Sequence, residues 1–364
     1  MKQLLACFFS LIFAPMALAQ TADWQKTWDA TLAAAKKEGR VVVVGSPDPV
    51  ARNELIPKFT ARYGIPVEYL AVGSGGQMAI RLNTERKSGI YSVDVFLNGA
   101  GPTVNVLYAE KMLDPLKPLL ILPEVTESAN WKRGKLSFVD PEDQFILLLF
   151  SSVDGLIFIN TKYVKPEEMR TIHDLLNPKW RGKISTEDPF ASGSGINKAA
   201  HFYTQMGPDF IRKLYVEQKP VFSRERRQMT DWLARGTYPI CLTCRQDDMK
   251  ELIKDGFDLQ EVYGLDGIDN RITATPFLLS VANRAPNPNA TRIFANWMAT
   301  REALDIYSRD FGSATLRTDV DESHLNPNNI PKPGVTYADD TNFAWIAEGR
   351  VAAGDKVRAV IKGP

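Results

Sequence analysis

Cysteine is scarce in this chain: three of 364 residues are Cys, and one of them, Cys7, sits inside the opening apolar run. A small scaffold stapled by several disulfides is therefore excluded. Histidine is as rare, with His173, His201 and His324 alone, and no H-E-x-x-H or G-x-S-x-G pattern surrounds them. No G-x-G-x-x-G is present, so a dinucleotide fingerprint is missing too. Net charge is nearly absent, with 44 Lys and Arg against 43 Asp and Glu. That balance argues against a nucleic-acid binder and against a polybasic membrane-surface protein. Past the first segment no apolar run reaches membrane-spanning length; "FILLLF" (145–150) is strand-sized. With no nucleophile–base–acid set, no metal motif and no cofactor motif, an enzyme is not expected.

What is present begins with "MKQLLACFFSLIFAPMALAQ". A basic start at Lys2, an apolar run and a small-x-small ending predict a signal peptide, residues 1–19, cleaved after Ala19. The mature protein is then exported, to the periplasm, and carries 43 residues of each charge.

The remaining chain is long for one core, which favours two domains. "RVVVVG" reads as a strand buried on both faces, "PVEYLAV" and "YSVDVFLN" as further strands, and helical spacing of apolar residues separates them. After an irregular stretch near 130–143 the alternation restarts with "GLIFIN", "GKIST", "YPICLT" and "TPFLLSVAN" as strands. "PEEMRTIHDLLN" reads as one helix with Pro166 in its first turn. The tail past Thr318 reads as loops followed by a short amphipathic helix. Such alternation predicts doubly wound α/β sheets. The expected division is lobe one at 20–150 and 280–364 and lobe two at 151–279, with hinges near 150–153 and 274–279.

Several stretches also carry a resemblance: "AAAKKEGRVVVVGS", "VDVFLNGA", "LLNPKWRGKI", "DPFASGSG", "DWLARGTYPI" and "VANRAPNPNATRIFANWMATREAL". Together they resemble the family-1 extracellular solute-binding proteins of ABC importers, a group with ferric-ion, phosphonate, sugar-phosphate and thiamine binders. The resemblance implies a type II periplasmic-binding fold, two lobes joined by hinge strands, and solute capture by lobe closure. It further implies an ABC permease and ATPase at the inner membrane as partners, and a monomer is expected.

In open α/β sheets ligands sit at the carboxyl ends of strands, beside helix N-termini. The strand ends name Ser46, then Ser74, Gly75 and Gly76, then Gly99 and Ala100 in the first lobe. In the second they name Asp188, and Ser192, Ser194 and Gly195 at the helix that holds His201. Free backbone N–H groups and hydroxyls at helix starts suit an anion. Gly and Ser also dominate ordinary turns, and Arg224, Arg226 and Arg227 of "SRERRQ" fit a solvated surface equally well. Arg227 is retained as a candidate, but the weight falls on Arg245, directly after the "YPICLT" strand, whose planar guanidinium matches a carboxylate or phosphate. Ferric members of the resembled family carry an adjacent tyrosine pair at about this place, where this chain reads "CLTCRQDDM". The expected ligand is thus a small organic anion, carboxylate or phosphate/phosphonate-like. A ferric ion or ferric complex is the alternative.

Cys241 and Cys244 form a C-x-x-C, which allows a second alternative, an exported thiol-redox protein. No second ligand pair accompanies it, so it does not make a zinc site. Three residues of extended strand would hold the two Cα atoms about 10 Å apart, beyond disulfide reach, unless the chain turns between them.

Overall fold

The computed structural model describes residues 15–72, 75–191 and 193–363, with the backbone alone for 15–23, 75–77, 79–80, 247 and 251. Among these residues no helix is long and apolar enough to cross a membrane. Of the segment expected to be removed, 1–14 lies outside the described residues, and the helix Pro15–Glu38 begins within the remainder.

The first sheet grows from the valine run. A strand with no polar face is stable only where both faces are covered. Val41–Gly45 is buried at every position, between the parallel strands Val67–Ala71 and Val95–Asn98. Leu278–Ala282 lies antiparallel against Val95–Asn98 in a register that sets Leu279 opposite Leu97. Leu147–Leu148 and Ser137–Phe138 extend that edge. The helix Pro288–Met298 belongs to this core, its Trp297 fully buried against Phe59 and Phe294. Its first N–H groups need acceptors, and Glu38 at the end of Pro15–Glu38 provides them. Asn289 N donates to Glu38 Oε1 at 3.1 Å and Ala290 N to Oε2 at 2.8 Å.

The second sheet repeats the plan. Val221–Ser223, Ile184–Glu187 and Ile240–Cys241 run parallel, and Ile157–Asn160 enters antiparallel beside Ile240–Cys241. Leu259–Val262 closes the far edge. In each lobe the antiparallel strand is the one arriving from the other lobe. The crossings themselves pair: Ser152–Asp154 lies antiparallel to Arg271–Thr273, which takes Ala338–Asp339 in parallel on its other side. This three-stranded hinge sheet joins the lobes.

Three local differences from the sequence reading have physical causes. The helix expected over 166–177 is two short turns, Pro166–Glu168 and Ile172–Leu176. The Asp174 carboxylate accepts from Arg170 N and Thr171 N, so it caps a new turn where the helix would have continued. The hinge crosses at 152–154 and 271–273, and through 338–339, a passage the sequence did not disclose. The residues from 345 onward bridge the lobes: Ile346 is in the first core, but Val357 of the helix Arg350–Lys362 packs in the second, beside Ile196 and Phe202. Residues 280–364 are therefore not all packed on the first sheet.

Candidate functional site

Where the two sheets face each other over the hinge lies a cleft with a volume of about 260 Å³. The first lobe contributes Gly99 and Ala100, at the end of Val95–Asn98, and the turn at Phe311 and Gly312. The second contributes Ser194, Asn197 and Lys198 from the helix Ser194–Arg212, and Thr243 to Gln246 after Ile240–Cys241. The hinge sheet forms the floor with Asp154 and Arg271, and the tail adds Asn329, Asp340 and Arg350.

The floor is an ionic network assembled from distant parts of the chain. Arg271 is 7% exposed. Its Nη1 donates to Asp340 Oδ2 at 2.8 Å, and its Nη2 donates to Asp154 Oδ2. Lys198, 4% exposed, donates from Nζ to the Gly155 carbonyl at 2.8 Å and lies 3.5 Å from Asp154 Oδ2. Glu261 accepts from Gly155 N at 3.0 Å and from the Tyr263 hydroxyl, which also lies against Asn329 Oδ1.

These contacts move proton affinities in opposite senses. Burial alone would raise the Asp154 carboxyl, but the charges of Lys198 and Arg271 outweigh it and hold it at about 2. Burial pulls Lys198 down to about 8 although Asp154 opposes it. Burial, followed by the Asp154 charge, pushes Glu261 up to about 7 against the hydrogen bonds of Tyr263 and Gly155. His201, whose Nε2 lies 3.0 Å from the Asp269 carbonyl, is pushed down to about 3 by burial and by Arg271 and Lys198. It is a neutral ring at ordinary pH. The cleft lining then holds four cations (Lys198, Arg245, Arg271 and Arg350) against three carboxylates (Asp154, Glu261 and Asp340), one of them half protonated near neutrality. The local balance is positive in a chain whose overall charge is close to zero.

Of the residues named from sequence, the cleft brings together Gly99, Ala100, Ser194 and Arg245. Ser74 and Ser192 lie outside the described residues, and Gly75 and Gly76 open the helix Gly75–Lys87. Ser46 is exposed, away from the lining, its carbonyl accepting from the Tyr69 hydroxyl at 2.7 Å. Asp188 is turned to Arg224, which donates to it from Nε at 2.9 Å and Nη2 at 2.8 Å. Gly195 packs under the Glu187 carbonyl, 2.5 Å from where a Cβ would stand, so it serves a close backbone approach rather than the lining. Arg227 is exposed; its neighbour Arg226 pairs with Asp248 at 2.7 Å. Even within the cleft the Ser194 hydroxyl is aimed at Glu187 Oε2, 2.7 Å away.

Asp154, Lys198, Glu261, Arg271, Asp340 and Arg350 were missed by sequence reasoning. One signal was available for Arg271: it is the sole charged residue in "RITATPFLLSVA".

The Arg245 arm has its own construction. The strand Ile240–Cys241 ends after two residues and the chain bends at once, so the Cα atoms of Cys241 and Cys244 lie 5.6 Å apart and the sulfurs are bonded. Cys241 is fully buried, unlike the exposed nucleophile of a thiol-redox motif. Alkylation under denaturing conditions without reductant is expected to label neither cysteine, and with reductant both; label without reductant would refute the bond. Beyond the bend the helix Gln246–Lys254 reaches the other lobe. Arg245 lies over the Phe311 ring at 5.8 Å, Asn329 Nδ2 donates to Gln246 Oε1 at 2.6 Å, and Lys250 Nζ donates to the Arg309 carbonyl at 3.1 Å.

Comparison with known proteins follows the same lines. Residues 54–344 match the model of a family described as bacterial extracellular solute-binding protein. No curated protein matches the sequence. Among solved structures, AfuA from Actinobacillus pleuropneumoniae with fructose-6-phosphate bound is similar with a TM-score of 0.67 at 16% identity, over 90% of this chain and 99% of that one. The apo ferric ion-binding protein A of Pasteurella haemolytica gives 0.68 at 13%, over 88% and 98%. Trichodesmium IdiA (FutA), in complex with iron and citrate, gives 0.62 at 18%, over 88% and 99%. At these identities the likeness is one of fold.

Proposed function

From the premise that this chain belongs to the bacterial extracellular solute-binding proteins, in the type II periplasmic-binding fold, we propose that it captures a small organic anion between its lobes. The solute is carboxylate or phosphate/phosphonate-like. It is delivered to an ABC permease and its ATPase at the inner membrane, by a monomer working in the periplasm after loss of residues 1–19. The class of the family and of the similar structures is solute binding, not catalysis.

The observation that carries the anion is the excess of cations in the cleft lining, with Arg245 presented at the strand end between both lobes. A low-dielectric cleft strengthens that field. For a bare ferric ion the donors are wrong. No tyrosine stands in the lining, and among the described residues no group of three His, Cys, Asp or Glu is placed to hold a metal.

Mass spectrometry of the solute that co-purifies tests the reading, followed by calorimetry with that solute. An anion is expected, and Arg245→Ala should weaken its binding about 30- to 100-fold by loss of charge-assisted hydrogen bonds. The unfolding midpoint of the ligand-free protein should hardly change. A neutral or cationic solute, or one iron per chain with tyrosinate-to-iron colour, would overturn the proposal.

A further inference from the structure

Residues 345–362 form a strap between the lobes. At one end Ile346 is fully buried in the first core, its carbonyl accepting from Asn105 Nδ2 at 3.1 Å, while Trp345 Nε1 donates to Asp340 Oδ1 at 2.7 Å. At the other end Val357 is fully buried in the second core, and Gly354 sits so close to Ile196 that a Cβ would come within 3.1 Å of its Cγ1. Arg350 stands where the strap changes lobes, and its side chain lines the cleft. Its Nη2 lies 2.9 Å from where a Cβ on Gly101 would be, so the glycine makes room for the guanidinium beside Gly99 and Ala100.

Arg350 has no hydrogen-bond or ion-pair partner among the described residues, although it is half-buried. Burial lowers its proton affinity, opposed in part by the Asp340 charge. Its neighbours are not in this condition: Arg271 spends both Nη groups on carboxylates, and Lys198 has a carbonyl. Yet Arg271 Nε, also buried, has no acceptor. The half-buried guanidinium on the strap thus faces the cleft unused, while the unsatisfied Arg271 Nε lies below, out of solvent. A guanidinium held out of water without an anion is unfavourable, and a fork of parallel N–H donors is the geometry that a carboxylate or phosphoryl oxygen pair completes.

We propose that Arg350 is an anchor for the ligand's anionic group, binding its carboxylate or phosphoryl oxygens against the Gly99–Gly101 backbone. This rests on the reading that the cleft takes an anion, and deepens it. Because the strap is rooted in both cores, the oxygen held by Arg350 is tied to the two lobes at once, and ligand loading is linked to their approach.

The test is calorimetry on the full chain at fixed ionic strength with three probes: inorganic phosphate, glycerol 3-phosphate and succinate. For a probe that binds the unaltered protein, Arg350→Gln is expected to lose about 50-fold or more, and Arg350→Lys to recover only part, since an ammonium keeps the charge without the fork. Gly101→Ala, which pushes on Nη2, should weaken the same probe. The ligand-free melting temperature of Arg350→Gln should hold or rise, because an unpaired half-buried cation is removed; a marked fall would assign Arg350 to structure instead. If Arg350→Gln binds within about threefold of the unaltered protein while Arg245→Ala fails to bind, the anion reading stands and this assignment falls. If none of the probes binds even at millimolar concentration, both fall together.

Discussion

Replacing Arg271 by Met is expected to cost about 3–5 kcal/mol of unfolding free energy, the range for removing one partner of a buried ion pair. Methionine fills most of the space of the arginine stem, so the loss is not chiefly a cavity. It comes from the carboxylates left behind. Asp340, with a side chain 10% exposed, would lose its one ion-pair partner among the described residues, keeping the Trp345 N–H and the more distant charge of Arg350. Asp154 would keep Lys198 at 3.5 Å. The asymmetry yields an internal control: adding Asp340→Asn to Arg271→Met should return part of the loss by removing the worse-placed charge, and adding Asp154→Asn should return less. Urea unfolding followed by circular dichroism measures both. A single-variant loss below about 1 kcal/mol would mean that water reaches the floor of the cleft and solvates the carboxylates.

Glu261→Gln is expected to stabilise the protein at pH 8 and leave it nearly unchanged at pH 4. The folded carboxyl is held up at about 7, from an ordinary value of 4.5, by burial and then by the charge of Asp154. Between those two values the folded chain keeps a proton that the unfolded chain gives up. The contribution of this group is therefore complete below pH 4.5 and is lost as pH rises through 7. By linkage the difference at pH 8 is of the order of 3 kcal/mol. A glutamine carbonyl can still accept from Gly155 N, which donates to Glu261 Oε1 at 3.0 Å, and it carries no charge to desolvate. His201 has the opposite slope: its folded value of about 3 means stability complete above its ordinary 6.5 and lost as pH falls toward 3. Both proteins share that slope, so their difference isolates Glu261. An equal change at both pH values would remove the titration of Glu261 from the account.

Much of the fold was legible because it rests on periodicity. The Val41–Gly45 run and the restart of alternation after residue 150 are local signals. Gly99, Ala100 and Arg245 were legible for the related reason that strand ends can be counted from sequence. The ionic floor was not. It joins residues 154, 198, 261, 271 and 340, and the hinge strands that hold it are two or three residues long, too short to show a period. Only topology brings them together. The tail was read as loops followed by a short amphipathic helix, and neither loop composition nor amphipathic spacing carries an address, so Asn329, Asp340 and Arg350 were invisible as cleft residues. For Cys241 and Cys244 the distance argument was sound for an extended strand; the strand simply ends at Cys241.

That early bend has a consequence in time. The Cys241–Cys244 bond closes the turn that presents Arg245 and starts the helix Gln246–Lys254 toward the other lobe. A reducing cytoplasm keeps thiols apart, whereas an exported chain meets oxidants that join them. The arm thus acquires its final shape only after crossing the membrane, on the side where the family finds its solutes.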